Sequence, residues 1–354
     1  MNKKRILVFT VVVVVLAVLV YLQVRTWQKF DWHTFGRETS QVDPLRILFA
    51  LVVIYVTYFL RAVRWKIFLK PVCRAKLKQL VGPQFIGFTG LALLGRPGEL
   101  IRPYLIAKKE NLTVSSQVAV WTVERIFDIG AFTVLMSVDI FFYGSQLPYP
   151  PELRKAAWLL IVMVGGMAGT AYLIKRHGPA LSSWLQRKLR RLSPKLADSV
   201  CNKISAFGEG LNTVHNTWSF VQLVTVSLAI WLLIAVAYEE ILHSYPAGAE
   251  AAKLHDLQLP HVLLLMGSSM VGSLLQLPAI GGGSQLATIS MMSSPHWFQV
   301  PNEVAVSAGM LLWLVTFMAC VPAGLILARF EHTSLRKLTQ ESRLEERQEE
   351  PVKT

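Results

Sequence analysis

The 354-residue sequence has little charge, few cysteines and none of the short motifs that mark common soluble enzymes. Only 16% of its residues are charged and 53% are hydrophobic, which argues against an ordinary soluble domain. Cys73, Cys201 and Cys320 lie far apart without metal-ligand spacing, so we expect free thiols and no metal site. The sequence contains no nucleophile elbow, Walker loop or dinucleotide-binding fingerprint. We therefore predict no catalytic residue of these classes and no cofactor.

The hydrophobic residues are collected in long runs, which indicates an all-α polytopic membrane protein. We predict six full spans, at about residues 6–24, 45–64, 114–143, 156–174, 220–243 and 304–328. The first follows a basic start but has no small-x-small cleavage site, so we interpret it as an uncleaved anchor. Two apolar segments, near 80–109 and 259–297, are interrupted by glycine and proline and predict re-entrant helical hairpins. The first arm of the earlier hairpin would reach about 22 Å, short of the roughly 30 Å hydrocarbon core.

The formal charge of +14 favours one orientation. In a membrane protein such an excess is typical of the positive-inside bias, so we expect no nucleic-acid partner. Both termini are then cytoplasmic, and the basic exit of the second span, including Arg61 and Arg64, faces the cytoplasm. The chain divides into these predicted parts: anchor 1–24, first repeat 45–143, connecting span 156–174, basic connector 175–217, second repeat 218–328 and charged tail 329–354. The two repeats are predicted to be inverted copies, an arrangement typical of transporters with a site near the midplane.

Six charged residues in or beside the apolar segments at 94–128 form the main anomaly of the sequence. A charge at the centre of a membrane helix costs about 2.5–3.5 kcal/mol, so these side chains must pair, meet water or bind a polar ligand. Helical spacing places Glu124, Arg125 and Asp128 on one face with Trp121. The predicted substrate-binding residues are Arg96, Glu99, Arg102, Trp121, Glu124, Arg125 and Asp128, with Ser284 and Gln285 after a second glycine break.

Two interpretations of these charges remain open. A buried ion-pair network, for example Glu124 or Asp128 with Arg102 or Arg96, would hold the first hairpin against the following helix. Alternatively, the arginines would bind an anionic lipid head group, because a guanidinium grips phosphate with two parallel hydrogen bonds. The backbone breaks would then line a wet cavity, the setting in which irregular backbone is tolerated within a membrane.

Two segments carry a family resemblance: Leu94–Leu105 reads LGRPGELIRPYL, and Val123–Asp128 reads VERIFD. They resemble the lysylphosphatidylglycerol synthase transmembrane-region family, also called flippase-like integral membrane proteins. The glycine break near Pro278–Gly283 is similar to that family's second motif. The resemblance implies a multi-pass protein of the bacterial inner membrane that handles lipids. The soluble synthase domain is absent after Ala328, so we do not expect lipid lysinylation by this chain. Gln285 stands near the place where relatives often carry glutamate.

These observations favour a lipid transporter of the flippase or scramblase type over an enzyme. It would move an anionic phospholipid, a glycolipid or a polyprenyl-linked lipid between leaflets. Its expected partners are membrane lipids with anionic head groups and further copies of the chain in a homo-oligomer. The alternatives are an intramembrane transferase that uses Glu124 or Asp128 as a base on a lipid-linked substrate, and a membrane scaffold whose charges are purely structural.

Overall fold

The computed structural model describes residues 32–142, 216–248, 251–273 and 282–330, with scattered positions between 155 and 169. Within these ranges the chain is helical and contains no strand, as the sequence predicts. The predicted anchor, the basic connector and the tail after Phe330 lie outside the described residues, as does most of the connecting span.

The described helices follow one another in this order: α1 (Trp32–Ser40), α2 (Pro44–Leu69), α3 (Leu77–Leu94), a 3₁₀ turn (Arg96–Leu100), α4 (Ile101–Glu110), α5 (Val114–Phe142), α6 (Thr217–Leu242), α7 (Ala252–His255), α8 (Leu259–Gly272), α9 (Gly282–Ser293), α10 (Asn302–Trp313), a π-helical segment (Leu314–Met318) and α11 (Cys320–Phe330). Along the bundle, α2 packs against α6, α3 against α11, and α5 against both α4 and α6.

Three stretches of the described chain are long and apolar enough to cross a membrane: α2, α6 and the continuous run Asn302–Phe330. They contain three of the predicted spans. Helix α5 has 29 residues, which is also sufficient length, but it carries the charges at 124, 125 and 128. The outer face of α2 leaves Phe49, Val52 and Phe59 about half exposed, which suits contact with lipid tails.

Helix α2 is longer than the sequence predicted. It begins at a side-chain cap, because the Asp43 carboxylate accepts a hydrogen bond from the backbone N–H of Leu45 at 2.9 Å and Pro44 occupies the first turn. It then continues to Leu69, past the expected exit at Arg64. The prediction that Arg61 and Arg64 face the cytoplasm is wrong, since both side chains are buried among neighbouring helices.

Glycines bring the first predicted hairpin together. Gly95, at φ 69°, ends α3 in the left-handed region, and the 3₁₀ turn then leads into α4. A Cβ on Gly98 would collide with the carbonyl oxygen of Gly90, and one on Gly87 would collide with the side chain of Arg102. The two helices therefore approach closely, and this approach positions Arg102 beside α3.

The second predicted hairpin has a similar contact. Helix α8 packs against α9, and a Cβ on Gly272 would collide with the carbonyl oxygen of Gly283. The residues between them, at 274–281, lie outside the described part of the chain, and with them most of the Pro278–Gly283 motif.

Candidate functional site

Glu124 and Arg64 form the centre of a buried charged cluster. The Nη2 atom of Arg64, on α2, donates to Glu124 Oε1 at 2.5 Å, and Arg102, on α4, donates to both carboxylate oxygens of Glu124. The side chains of Arg64 and Glu124 are 0% and 1% exposed. Three helices thus meet at one carboxylate, and charge-assisted hydrogen bonds of this kind are about twice as strong as neutral ones.

Asp128, one turn further along α5, contacts three arginines, one of which is Arg64. Arg64 Nη1 donates to its Oδ1 at 2.7 Å, Arg125 Nη2 lies 3.3 Å from Oδ2, and Arg61 Nη1 lies 3.8 Å from Oδ2. Arg64 also donates to the hydroxyl of Ser227 at 2.9 Å, which ties α6 to the same group. We call Arg61, Arg64, Arg102, Glu124, Arg125 and Asp128 the arginine cluster.

The sequence predicted ion pairs at this place, but only some of the predicted partners are observed. The pairing of Glu124 with Arg102 is observed. Arg96, in contrast, is 54% exposed, lies 3.7 Å from Glu99 and donates to the backbone carbonyl of Ser273 at 3.2 Å. It therefore links the turn of the first hairpin to the end of α8 and does not enter the cluster.

Aromatic and amide groups hold the arginines in place. The guanidinium of Arg102 lies 4.7 Å from the Trp65 ring centre and 5.0 Å from that of Phe88, and Arg61 lies 5.0 Å from the same Phe88 ring. Gln84 accepts a hydrogen bond from Arg102 Nη1 at 3.1 Å. These contacts cover the guanidinium groups of Arg61 and Arg102 and restrict their orientation.

Helices α2 and α6 contribute residues to this site that were not predicted from the sequence. Arg61, Arg64 and Trp65 recur at helical spacing along the inner face of α2, and Ser227 faces them from α6. The signal available in the sequence was that spacing on a continuing apolar helix. Their basic neighbours, such as Lys66 and Lys70, favoured a cytoplasmic interpretation instead.

A small pocket, partly open to the surface, lies beside the cluster. Its lining consists of Gly87, Phe88, Leu91, Glu99, Arg102, Trp121 and Arg125. Four of these are predicted site residues: Glu99, Arg102, Trp121 and Arg125. The pocket thus combines two arginines, one carboxylate and an apolar and aromatic wall, a mixture suited to a ligand with a polar head and an apolar body.

Ser284 and Gln285 occupy the first turn of α9 and do not line this pocket. The backbone carbonyl of Ser284 accepts a hydrogen bond from the Thr288 hydroxyl at 2.9 Å. Their part in substrate binding stays a prediction. The described residues contain no group of three or more His, Cys, Asp or Glu side chains placed to hold a metal ion.

An apolar helical bundle with buried arginines, paired carboxylates and an adjoining pocket defines a polytopic membrane protein with a polar site among its helices. The chain belongs to the lysylphosphatidylglycerol synthase TM region family, whose model matches residues 7–324. This match confirms the family resemblance of the two motifs.

Glycosyltransferase AglD of Haloferax volcanii is 34% identical over 220 residues, which are 54% of this chain and 34% of that protein. The chain therefore spans about a third of the length of this curated relative. No solved structure matches the chain. Since this relative is archaeal, placement in a bacterial inner membrane stays a prediction. The family and the apolar helices support a membrane protein whose role is related to lipids.

Proposed function

We propose that this chain is a lipid transporter of the flippase or scramblase type. An anionic head group binds in the pocket beside the arginine cluster and passes between leaflets while its tails stay in the lipid. The observation that carries this proposal is the presence of Arg102 and Arg125 in the lining of a pocket within an apolar bundle. A charge in such surroundings needs a partner, and the phosphate of a lipid head group suits a guanidinium.

The rest of the pocket supports the same ligand chemistry. Phe88, Leu91 and Trp121 supply apolar surface for the part of the lipid that joins head to tails. Glu99, the carboxylate in the lining, is an acceptor for hydroxyl or ammonium groups on the head group. A lipid would thus meet cationic, acceptor and apolar surfaces in one cavity.

We further propose the topology on which transport depends. Six full spans surround two re-entrant hairpins, both termini are cytoplasmic, and the halves are inverted repeats. The close glycine contacts support this, because Gly90 meets Gly98 in one hairpin and Gly272 meets Gly283 in the other. Paired broken segments in two inverted halves are typical of transporters whose substrate binds near the midplane.

The variant that tests transport must leave the fold intact. Arg102 is unsuitable, since its loss would leave Glu124 with one fewer buried partner, a change that costs about 3–5 kcal/mol in stability. Arg125 is better, because its side chain is 40% exposed and its shortest contact to Asp128 is 3.3 Å. The matched control is Lys108→Gln, which removes one exposed positive charge from the outer side of α4.

The assay uses proteoliposomes that contain the purified full chain and a fluorescent anionic lipid, quenched from one side. We expect Arg125→Gln to slow lipid movement by about 10–100-fold, the effect of losing one charge-assisted interaction. Lys108→Gln should move lipid at the wild-type rate. Equal rates in wild type, Arg125→Gln and protein-free liposomes would refute the proposal.

A second candidate is a transferase that acts on a lipid-linked substrate, which the name of the archaeal relative, a glycosyltransferase, favours. Glu124 and Asp128 are poorly placed as its base, because arginine donors already occupy their oxygens. Glu99 lines the pocket and would be the base instead. The test is mass analysis of lipids after incubation of the purified protein with candidate donors. A modified lipid that disappears in Glu99→Gln would support the transferase, and unmodified lipid throughout would reject it.

A further inference from the structure

The arginine cluster contains more positive than negative charge. Four guanidinium groups, from Arg61, Arg64, Arg102 and Arg125, share the carboxylates of Glu124 and Asp128. The neighbouring pair of Arg96 and Glu99 adds one charge of each sign and leaves the difference unchanged. Two positive charges therefore lack a compensating carboxylate in this part of the described chain.

Part of the excess positive charge lies at the pocket. Both terminal nitrogens of Arg64 are engaged in the interior, where they donate to Glu124 at 2.5 Å and to Asp128 at 2.7 Å. Arg61 and Arg125 are held less closely, with shortest distances to Asp128 of 3.8 Å and 3.3 Å. Arg125 lines the pocket, and its Nε atom is buried without a hydrogen-bond partner among the described residues. Because the Arg125 side chain is also 40% exposed, its guanidinium offers donors to a ligand at the pocket wall.

The excess of two positive charges in the arginine cluster indicates which charge the ligand should carry. Opposite charges attract more strongly in surroundings less polar than water, so a ligand that cancels two positive charges should bind more tightly than one that cancels a single charge. A phosphodiester head group carries one negative charge. A phosphomonoester carries about 1.5–2 negative charges at pH 7 and has three terminal oxygens for guanidinium donors.

We propose that the pocket binds a dianionic phosphomonoester, carried by a lipid monophosphate, in preference to a phosphodiester. This assignment rests on the proposed function, because it names the head group that the transporter would carry. Two guanidinium groups in the lining would bind the terminal oxygens, and the two charges of the monoester would compensate the excess of the cluster.

The test compares two lipids with identical dioleoyl tails, phosphatidic acid as the monoester and phosphatidylglycerol as the diester. Equilibrium binding to the purified full chain is measured in detergent micelles at several pH values. At pH 8 we expect phosphatidic acid to bind at least about tenfold more tightly. This advantage should shrink as the pH falls from 8 to 5, since the monoester dianion takes up one proton near pH 6 and becomes a monoanion. Binding of the diester should change little over that range.

Two variants and one soluble competitor sharpen the comparison. Arg125→Gln removes one charge of the excess and should abolish most of the monoester preference, whereas Lys108→Gln should retain it. If Arg125→Gln does not fold, the pH series on the unmodified chain decides the question. Glycerol phosphate, added at the same concentrations, tests whether the lipid tails are needed.

The outcomes separate the head-group assignment from transport itself. Equal affinity for both lipids at pH 8 would overturn the assignment, while continued movement of phosphatidylglycerol in proteoliposomes would leave the transporter intact. Glycerol phosphate that binds as tightly as phosphatidic acid would keep the dianion site and overturn a lipid as its source. A monoester preference that falls with pH and is lost in Arg125→Gln would support the proposal.

Discussion

Replacement of Arg64 by glutamine should be the most destabilising single change in the site. The Arg64 side chain is 0% exposed and donates hydrogen bonds to Glu124, Asp128 and Ser227, so it connects α2 to α5 and α6. Glutamine is too short to reach both carboxylates. Removal of one partner from a buried ion pair costs about 3–5 kcal/mol, because the remaining charge stays buried. The other arginines of the cluster lessen this cost, so we expect the lower end, about 3 kcal/mol.

Thermal unfolding of the purified protein in detergent, followed by intrinsic tryptophan fluorescence, measures this effect. At about 2 °C per kcal/mol for a chain of this size, the melting temperature should fall by roughly 6 °C. A double-mutant cycle with Asp128→Asn adds a second check. The two changes remove members of one network, so the double variant should lose at least about 1 kcal/mol less than the sum of the single variants. Unchanged melting in Arg64→Gln, or additive losses, would refute the assigned network.

Three further predictions follow from other contacts. Gly98→Ala should lower the melting temperature by several degrees, because its Cβ would collide with the Gly90 carbonyl; wild-type melting would contradict that close approach. Burial, and then the neighbouring Glu110, raise the pKa of the Cys73 thiol, so less thiolate is present at pH 7. Maleimide labelling of Cys73, followed by peptide mass spectrometry, should therefore be slow at pH 7, rise with pH and be faster in Glu110→Gln; equal rates in both proteins would contradict the role of Glu110. Arg96→Ala should change stability by less than about 0.5 kcal/mol, since the side chain is mostly exposed; a large loss in the same melting assay would show that its bond to Ser273 is structural.

The first hairpin and much of its pocket were predictable because they depend on local rules. Glycine and proline mark the break between α3 and α4, and 3.6 residues per turn place Trp121 and Arg125 on the face that meets it. Glu99 and Arg102 follow the break directly. These four predicted residues all line the pocket.

The part of the site that was not predicted from the sequence could not be assigned in the same way. Arg61 and Arg64 stand near several lysines and arginines, a pattern that charge counting places in the cytoplasm. Their burial depends on α2 continuing to Leu69 and on α5 and α6 covering its inner face. The six charged residues singled out in the sequence, three arginines and three carboxylates, are therefore not the members of the arginine cluster, which has four arginines and two carboxylates.

The sequence by itself determined the membrane class, the helical segments, the broken hairpin motifs and the family. Each of these depends on composition, or on spacing within one segment, where helix geometry sets the distance between side chains. Only the tertiary structure decided which charges pair, how many lack a compensating partner and where the pocket opens. Arg64 reaches Glu124 across 60 residues of chain and Ser227 across 163, and contacts over such separations depend on how the helices pack.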